Sequence, residues 1–332
     1  MVFKAFIGIL ALAVVLKVTG NFILPFVVAL FLHLIFYPLI GWLKKSKLPN
    51  GLAYLTVIFI TFSILFVVSI FIYSSLEQFA SLLPRYQPAL ESLITKIEGL
   101  VSRHLKIPDF KLLEQINLGT ISGFIGSSIG SFLNFFTSLL LMLVYFIFML
   151  VGHGQFRSKI NRIMKPEQAE KMAKFIDQAT KQANKYLLIK TGTSLITGVN
   201  AGLILWIAGL DFPFIWGFLT FLFNFIPNIG SPIITILPLL LAIVKFGSFL
   251  PVFILAIFLV ANQSIIDNIV EPRWAGRSLN LSPLLILFSL IVWGWLWGIL
   301  GMILAVPIMA IIKIGLENSE ATRPIALLME SK

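Results

Sequence analysis

Five amide and carboxyl side chains lie close together in a largely apolar segment of the second half of the chain: Asn262, Gln263, Asp267, Asn268 and Glu271. Gln263, Asp267 and Glu271 recur at a spacing that would place all three on one face of a helix. Ionisable side chains near a bilayer are costly and usually mark a transport pathway or a proton relay. The pattern predicts that Asp267 takes up a coupling proton or cation.

The position of Asp267 also supports a simpler interpretation. The residue lies near the predicted cytoplasmic end of its helix, and Arg273 and Arg277 follow shortly afterwards. A carboxylate at a helix end can form an ion pair with such an arginine at the membrane surface, where water screens both charges. Both interpretations fit the sequence.

A second group of polar and helix-breaking residues interrupts the uncharged stretch from Phe212 to Val244: Asn224, Pro227, Asn228, Gly230, Ser231 and Pro232. The prolines lack an amide hydrogen and Gly230 permits a tight bend, which would leave carbonyl oxygens free to bind a polar solute or a cation. Asn224 and Asn228 would share a face if the helix continued through them. Alternatively, the asparagines only cap the broken helix.

Another uncharged stretch, from Ser282 to Ile312, is interrupted by glycines and contains a later proline: Gly294, Gly298, Gly301 and Pro307. The glycines would allow the chain to turn or the helices to pack closely, and Pro307 would bend the returning arm. Trp293, Trp295 and Trp297 surround this break. Tryptophan prefers the membrane interface, so these rings would anchor the turn there, or alternatively would sandwich a small polar molecule.

The length of the two uncharged stretches indicates how they are folded. About 20 apolar residues cross a bilayer as a helix, so a stretch of roughly 30 is too long for one straight span and too short for two spans joined by a loop. Each stretch is therefore expected to form a broken helix or a re-entrant hairpin. Non-helical backbone at membrane depth is tolerated mainly where it lines a cavity, and paired interruptions of this kind point to a transport site.

Composition places the chain among multi-pass membrane proteins. Of the 332 residues, 58% are hydrophobic and only 12% are charged, and the mean hydropathy is +0.99. A water-soluble fold cannot bury that much apolar surface. The net charge of +11 is assigned to cytoplasmic loops that face anionic lipid, and not to a nucleic-acid surface. Because cysteine is absent, disulfides, thiolate metal sites and cysteine nucleophiles are excluded.

The predicted fold is all-α, with about eight hydrophobic helical elements in six regions. These regions are N-terminal transmembrane helices at 1–74, an extracytoplasmic amphipathic insert at 75–130, a transmembrane helix at 131–151, a basic cytoplasmic helical segment at 152–190, a transport domain with two broken hairpins at 191–315, and a cytoplasmic tail at 316–332. Within the insert, apolar residues at helical spacing from Leu90 to Leu105 predict an amphipathic helix.

Positive charge indicates the orientation of these elements. Lys44, Lys45 and Lys47 place one short loop in the cytoplasm, and both termini are expected on that side. If the first broken stretch turns back, Arg273 and Arg277 also become cytoplasmic. The result is two units of one helix and one hairpin in opposite orientations, an inverted repeat of the kind found in secondary transporters.

Other residues offer no separate chemistry. Lys190 begins a predicted span and is expected to extend its amine to the membrane interface. Gly198 and Gly202 have the spacing of close helix packing, and His33, within a span, is expected to pack or to hydrogen-bond. The sequence contains no Walker loop, zincin pair or nucleophile elbow, so no enzymatic activity and no cofactor are expected.

Several of these motifs together resemble the AI-2E family of transporters, also called the autoinducer-2 exporter family: Asn224–Pro232, Asp267–Pro272, Leu281–Pro283 and Trp293–Pro307. The resemblance extends over essentially the whole chain. It implies a permease of the prokaryotic cytoplasmic membrane that assembles as a homo-oligomer, for which a pentamer is one arrangement. It also implies export of small hydrophilic signalling molecules in some members and cation/proton antiport in others. By motif position, it assigns function to Pro227–Pro232 and Asp267–Pro272.

The sequence thus predicts a secondary transporter, embedded in membrane lipid, that moves a small polar solute by alternating access. An autoinducer-2-like signalling molecule is the candidate solute, and a proton or a sodium ion is the candidate coupling ion. One alternative is a sodium (lithium)/proton antiporter, which needs a titratable carboxylate accessible from both sides. Another is a non-transporting membrane scaffold whose outer insert, residues 75–130, binds a partner.

Overall fold

The computed structural model describes residues 2–46, 49–105, 137–152, 159, 162–275, 281–317, 320 and 322–330. Over those residues the regular structure is helical and contains no strand, which confirms the predicted all-α class. The helices are α1 (Val2–Val18), α2 (Gly20–Lys45), α3 (Asn50–Leu105), α4 (Thr137–Gly152), α5 (Pro166–Ile207), α6 (Pro213–Phe223), α7 (Gly230–Phe246), α8 (Phe249–Ile265), α9 (Glu271–Ala275), α10 (Pro283–Glu317) and α11 (Arg323–Leu328). A π-helical turn, Ile266–Val270, joins α8 to α9.

Several of these helices are long and apolar enough to cross a membrane: Gly20–Lys45, Gly51–Phe71, Pro166–Ile207, Phe249–Trp274 and Pro283–Glu317. Shorter apolar helices, α4, α6 and α7, pack beside them. Many of their large apolar side chains face outward, as the hydrocarbon of a bilayer requires. The protein is therefore a multi-pass membrane protein.

The first half of the chain forms a bundle of α2, α3 and α4. Its buried side chains come from all three helices: Ala29, Ile40, Leu43, Ala53, Val57, Leu139, Met142, Leu143, Phe146 and Leu150. α3 continues without interruption to Leu105, which confirms the helix predicted within the insert. The rest of that insert lies outside the described residues.

α5 is one continuous helix of 42 residues that crosses the junction between the predicted basic segment and the predicted transport domain. Pro166 occupies its first turn, where a missing amide hydrogen costs nothing. No further proline occurs before Pro213, so nothing in the sequence interrupts the hydrogen-bond ladder. α5 consequently provides a long rod against which both broken elements pack.

The first uncharged stretch is broken as predicted, and its two arms, α6 and α7, form an antiparallel hairpin. Asn228 at the turn adopts a left-handed conformation with φ of 62°. A Cβ atom on Gly230 would overlap the carbonyl oxygen of Phe223, so only glycine allows the two arms to approach so closely at the tip. At the open end, Lys245 Nζ donates to Asp211 Oδ1 at 2.7 Å and to the carbonyl of Gly209 at 2.8 Å. We call this element hairpin 1.

The second uncharged stretch is also broken, and the chain reverses within α10. Trp297 and Gly298 have non-helical backbone angles, and φ of Gly298 is 65°. A Cβ atom on Gly301 would overlap the carbonyl oxygen of Trp293, although the two residues would lie about 12 Å apart along a straight helix. Residues on either side of the turn, Leu290 and Ala305, are buried in one cluster. We call this element hairpin 2.

The two hairpins point toward each other from opposite ends of α5. The open end of hairpin 1 lies just after the C-terminal end of α5. The open end of hairpin 2 lies near the N-terminal half of α5, where Gly315 is beside Phe175. Ile226, at the tip of hairpin 1, is buried against Leu290 and Ala305 of hairpin 2. This opposed geometry agrees with the inverted arrangement that the sequence predicts.

Candidate functional site

Four polar side chains from hairpin 1, α8 and the π-helical turn that follows α8 converge where the tip of hairpin 1 meets α5. Gln263 Nε2 lies 2.7 Å from Asn224 Oδ1, 2.8 Å from Ser231 Oγ and 2.8 Å from Asp267 Oδ2. Asn224 Nδ2 in turn donates to Ser194 Oγ of α5 at 3.1 Å. Asn224 follows α6 and Ser231 begins α7, so the break in hairpin 1 is what brings them to Gln263.

Close packing between α5 and α6 determines where this tip lies. A Cβ atom on Gly198 would lie 2.5 Å from the carbonyl oxygen of Gly217, and one on Gly217 would lie 2.7 Å from the carbonyl oxygen of Gly198. Two glycines that face each other allow the helix backbones to touch, as in small-residue packing of membrane helices. The packing predicted for Gly198 and Gly202 is present, because Gly202 also lies against the first turn of α6.

Asp267 is partly buried, and one of its carboxylate oxygens has no hydrogen-bond partner among the residues that the structure describes. Oδ2 accepts from Gln263 and, at 3.4 Å, from the hydroxyl of Ser231, whereas Oδ1 is buried and unpartnered. Neither oxygen contacts Arg273, whose side chain is exposed. The predicted alternative of a surface pair with Arg273 therefore does not form, and Arg277 lies outside the described residues.

The π-helical turn Ile266–Val270 carries Asp267. The amide of Glu271 donates to the carbonyl of Ile266 across this wider turn. Such turns are rare and frequently occur at functional sites. The wider turn alters the angular spacing of the side chains that follow, and Glu271 makes contacts separate from those of Gln263 and Asp267.

The cluster contains more acceptors than donors. The amide nitrogen of Gln263 has two hydrogens but three oxygens at hydrogen-bonding distance. Asp267 supplies one of these oxygens and a second that is buried without a partner among the described residues. The arrangement therefore presents oxygen acceptors to a cation or to a solute with hydrogen-bond donors.

A buried ion pair lies next to this cluster. Lys190 Nζ of α5 is 2.7 Å from Glu271 Oε2, and the exposed fractions of the two side chains are 7% and 24%. The hydroxyl of Thr193 lies 3.4 Å from the same oxygen. The expectation that Lys190 extends to the membrane interface is wrong, because the carboxylate of Glu271 holds its amine inside the protein.

Asn262 forms a third polar contact on the same side of α5. Its Nδ2 donates to the carbonyl of Thr197 at 3.1 Å, and its Oδ1 accepts from Asn200 at 3.2 Å. The predicted site residues Asn262, Gln263 and Glu271 thus all contact α5 or hairpin 1. Sequence reasoning missed Ser194 and assigned Lys190 to the interface, although polar positions recur at helical spacing within the predicted span: Lys190, Thr193, Ser194 and Thr197.

Several predicted site residues lie at the edge of this cluster. Asn228, Pro232 and Asn268 are exposed, and Pro227 is partly buried in the turn. Because α6 ends at Phe223, Asn224 and Asn228 do not continue a helix together. Asn224 is the C-cap residue of α6, but its side chain bonds Ser194 and Gln263.

The predicted hinge residues lie in hairpin 2. Gly298 forms the turn, and Gly294 and Gly301 lie where the arms come closest, with the side chain of Met302 against Gly294. Pro307 is buried within the returning arm.

The tryptophans of hairpin 2 contact the N-terminal helices. Trp297 Nε1 donates to the carbonyl of Leu16 at 3.1 Å, and Lys17 Nζ lies 3.7 Å from the ring centroid of Trp295. The ring centroids of Trp293 and Trp297 are 5.0 Å apart. The tip of hairpin 2 is therefore attached to the junction between α1 and α2.

Among the residues that the structure describes, no three histidines or acidic residues form a group that could hold a metal ion.

Comparison with known proteins identifies what the chain is similar to. Residues 6–321 match the family model described as AI-2E family transporter. The AI-2 transport protein TqsA of Escherichia coli K12 is 32% identical over 315 residues, which cover 95% of this chain and 91% of TqsA. A Haemophilus influenzae protein with the name "Putative transport protein" is 30% identical over 335 residues, covering 98% of this chain and 96% of that protein.

Proposed function

Because the chain belongs to the AI-2E family of membrane transporters, we propose that it is a secondary transporter that moves a small polar solute by alternating access. The solute would bind at the cluster formed by Asn224, Ser231, Gln263 and Asp267. An autoinducer-2-like signalling molecule is the proposed solute, since the name of the E. coli relative TqsA specifies AI-2 transport.

The observation that supports this proposal most directly is the position of the broken tip of hairpin 1. The tip brings Asn224 and Ser231 to Gln263 and Asp267, with distances of 2.7–2.8 Å around the Gln263 amide nitrogen. Ser194, which Asn224 contacts, precedes the end of α5 at Ile207 by about 20 Å of helix, so this polar cluster lies deep within the apolar region. Broken helices that carry polar groups at such a depth are the binding elements of many secondary transporters.

Asp267 is proposed to take up the coupling proton or cation. Within the described part of the chain, one of its oxygens is buried without a partner and no cationic side chain contacts the other. Binding a proton or a cation would remove the cost of this charge in surroundings of low dielectric constant. Release of that ion when the site opens to the other side would couple its movement to that of the solute.

The opposed hairpins provide a way to alternate access. Hairpin 1 and hairpin 2 enter from opposite ends of α5, and the tip of hairpin 1 packs against the arms of hairpin 2 at Leu290 and Ala305. Displacement of one tip at a time would open the cluster to one side of the membrane while the other tip kept it closed. This step is part of the proposal and predicts that cross-linking Ile226 at the tip of hairpin 1 to Leu290 in hairpin 2, after both are replaced by cysteine, stops transport.

Transport of labelled autoinducer-2 into inside-out proteoliposomes tests the proposal. Wild-type protein should accumulate the label, and Asp267→Asn should reduce the initial rate at least about tenfold if coupling carries at least about 1.4 kcal/mol of the driving force. Asp177→Asn is the matched control, because this exposed carboxylate lies on α5 away from the cluster. Equal rates for wild type and Asp267→Asn would refute the role of Asp267.

The excess of oxygen acceptors around Gln263 Nε2 favours a second candidate, a sodium (lithium)/proton antiporter. Oxygens of Asn224, Ser231 and Asp267 surround that nitrogen, and the same oxygens could ligate a small cation if the amide moved aside. A sodium pulse to proteoliposomes that contain a pH-sensitive dye tests it. Sodium-driven proton movement that Asp267→Asn abolishes would favour the antiporter, whereas transport of autoinducer-2 without a sodium response would exclude it.

We also propose that the protein resides in the cytoplasmic membrane as a homo-oligomer, with both termini in the cytoplasm. The basic loop after α2 supports this orientation through the positive-inside bias. Native mass spectrometry of the detergent-solubilised protein measures the subunit number. A mass equal to that of a single chain at membrane-like concentrations would contradict the assembly.

A further inference from the structure

The ion pair between Lys190 and Glu271 lies next to the proposed coupling residue but does not include it. The amine and the carboxylate are 2.7 Å apart, and 7% of the lysine side chain is exposed. Asp267 has its own partners, Gln263 and Ser231, and retains one unpartnered oxygen. Two carboxylates four residues apart therefore lie in this region, and in the ranges that the structure describes only Glu271 has a cationic partner.

We infer that Lys190 is a built-in counter-ion that keeps Glu271 ionised, so that Asp267 is the single carboxyl in the site that exchanges a proton or a cation. This inference rests on the proposed function and adds a number to it: one coupling ion for each transport cycle. Lys190 is on this view a positioning residue. It acts through Glu271 and does not itself contact the solute.

The charged groups on the surrounding elements support this assignment. Tyr186 precedes Lys190 by one helical turn on α5, and Arg273 on α9 is exposed. On α2, the ring of His33 lies 6.1 Å from that of Tyr37. The two uncharged stretches, Phe212–Val244 and Ser282–Ile312, bring no charge. The lysines that follow them pair elsewhere, Lys245 with Asp211 and Lys313 with Glu317 and Glu330. Among the residues that the structure describes, Glu271 thus has one cation in direct contact and Asp267 has none.

Removal of the lysine charge should change the number of carboxyl groups that titrate. Without Lys190, Glu271 would be a partly buried carboxylate with no cation, and such a group lowers its energy by taking up a proton. The site would then contain two exchangeable positions. Removal of both members of the pair leaves no excess charge and should restore a single position.

Infrared difference spectra between buffers of about pH 6 and about pH 10 report carboxyl groups that stay protonated above the ordinary range, because exposed Asp and Glu side chains are ionised in both buffers. The measurement does not need a known substrate. Wild-type protein in nanodiscs should show one carboxylic C=O band that disappears in Asp267→Asn. Lys190→Met should show a second band, about doubling the band area, and Lys190→Met combined with Glu271→Gln should show one band again. Lys190→Arg should behave as the wild type, because it retains the charge.

Lys313→Met is the matched control for loss of a buried lysine. The Lys313 side chain is also 7% exposed and pairs with Glu317 and Glu330, but those carboxylates are 39% and 35% exposed. Water can solvate them, so no second band is expected. A second band in Lys313→Met, or its absence in folded Lys190→Met, would overturn the inference.

Glu271→Gln provides an independent measurement that does not need Lys190→Met to fold. The wild-type band should persist in this variant, because the band is assigned to Asp267. Its loss would show that Glu271 titrates and would overturn the inference. If the bands follow the predicted pattern but neither autoinducer-2 nor sodium moves in proteoliposomes, the proposed function fails and the charge assignment stands.

Discussion

The contact between Gly198 and Gly217 offers a sharp test of how the site is positioned. In Gly198→Ala the new methyl carbon would lie 2.5 Å from the carbonyl oxygen of Gly217 and 3.0 Å from Cβ of Phe221. Methyl carbons essentially never approach other atoms within 3.0 Å. Because the opposing atom belongs to the backbone, it cannot rotate away, and α6 must move outward by about half an ångström or more.

That displacement should affect both stability and transport. Inserting a methyl group at a tight contact costs about 1–3 kcal/mol of the free energy of unfolding. The tip of hairpin 1 follows α6, so the Asn224 to Ser194 hydrogen bond, at 3.1 Å, would lengthen beyond useful range. Misplacement by about half an ångström should lower the transport rate about tenfold, since a 1 Å error can cost about a hundredfold.

Unfolding by SDS in mixed micelles and transport in proteoliposomes measure the two effects. Gly41→Ala is the control, because no neighbouring heavy atom lies within 4 Å of its Cβ position and alanine favours a helix over glycine by about 0.8–1.0 kcal/mol. If Gly198→Ala has the stability and the transport rate of the wild type, the contact between α5 and α6 does not position the tip of hairpin 1. Gly217→Ala should reproduce the defect, because its methyl would lie 2.7 Å from the carbonyl oxygen of Gly198.

Three further outcomes are expected. Lys190→Met should destabilise the protein by about 3 kcal/mol in SDS unfolding, because it leaves the carboxylate of Glu271, which is only 24% exposed, without its cation. Lys245→Met should cost less than about 1 kcal/mol, because Lys245 and its partner Asp211 are both about a third exposed. Trp297→Phe removes the bond to the carbonyl of Leu16 and should speed proteolysis in the first helix, and an unchanged rate would contradict the attachment of α1 to hairpin 2. In single-cysteine variants, Lys245→Cys should be labelled from outside the membrane and Arg273→Cys from inside. Labelling of Arg273→Cys from outside alone would refute the opposed topology.

Local sequence signals predicted the breaks in both uncharged stretches. The turn at Asn228 and Gly230 and the turn at Gly298 occur where glycine, proline and asparagine interrupt apolar runs that are too long for one span. These signals depend on the conformational preferences of single residues and on the thickness of a bilayer. They do not depend on which other segment lies nearby, so a sequence alone can reveal them.

The composition of the polar cluster was only partly predictable. Asn224, Gln263 and Asp267 were identified because polar residues are conspicuous among apolar neighbours, but their mutual contact was not. Ser194 was missed, since a serine in a membrane helix can equally satisfy its own backbone. Its role follows from the approach of α6 to α5 at paired glycines, which no single-segment pattern encodes.

Lys190 shows the same limit more clearly. A lysine near the end of a predicted span normally extends to the interface, and the prediction followed that rule. The structure instead places Glu271 2.7 Å from its amine, on a helix 81 positions further along the chain. Whether a lysine extends to water or stays buried is decided by the presence of a carboxylate within reach, and that is a property of the fold.

The sequence by itself determined that the chain is helical, that it lies in a membrane and that two of its segments turn back, because each property arises from residues adjacent in the chain. Tertiary structure alone decided that the tip of hairpin 1 meets Gln263 and Asp267 and that Glu271 is neutralised by Lys190. The physical reason is that charge balance and hydrogen-bond satisfaction in an apolar medium depend on distances of about 3 Å between side chains from different helices.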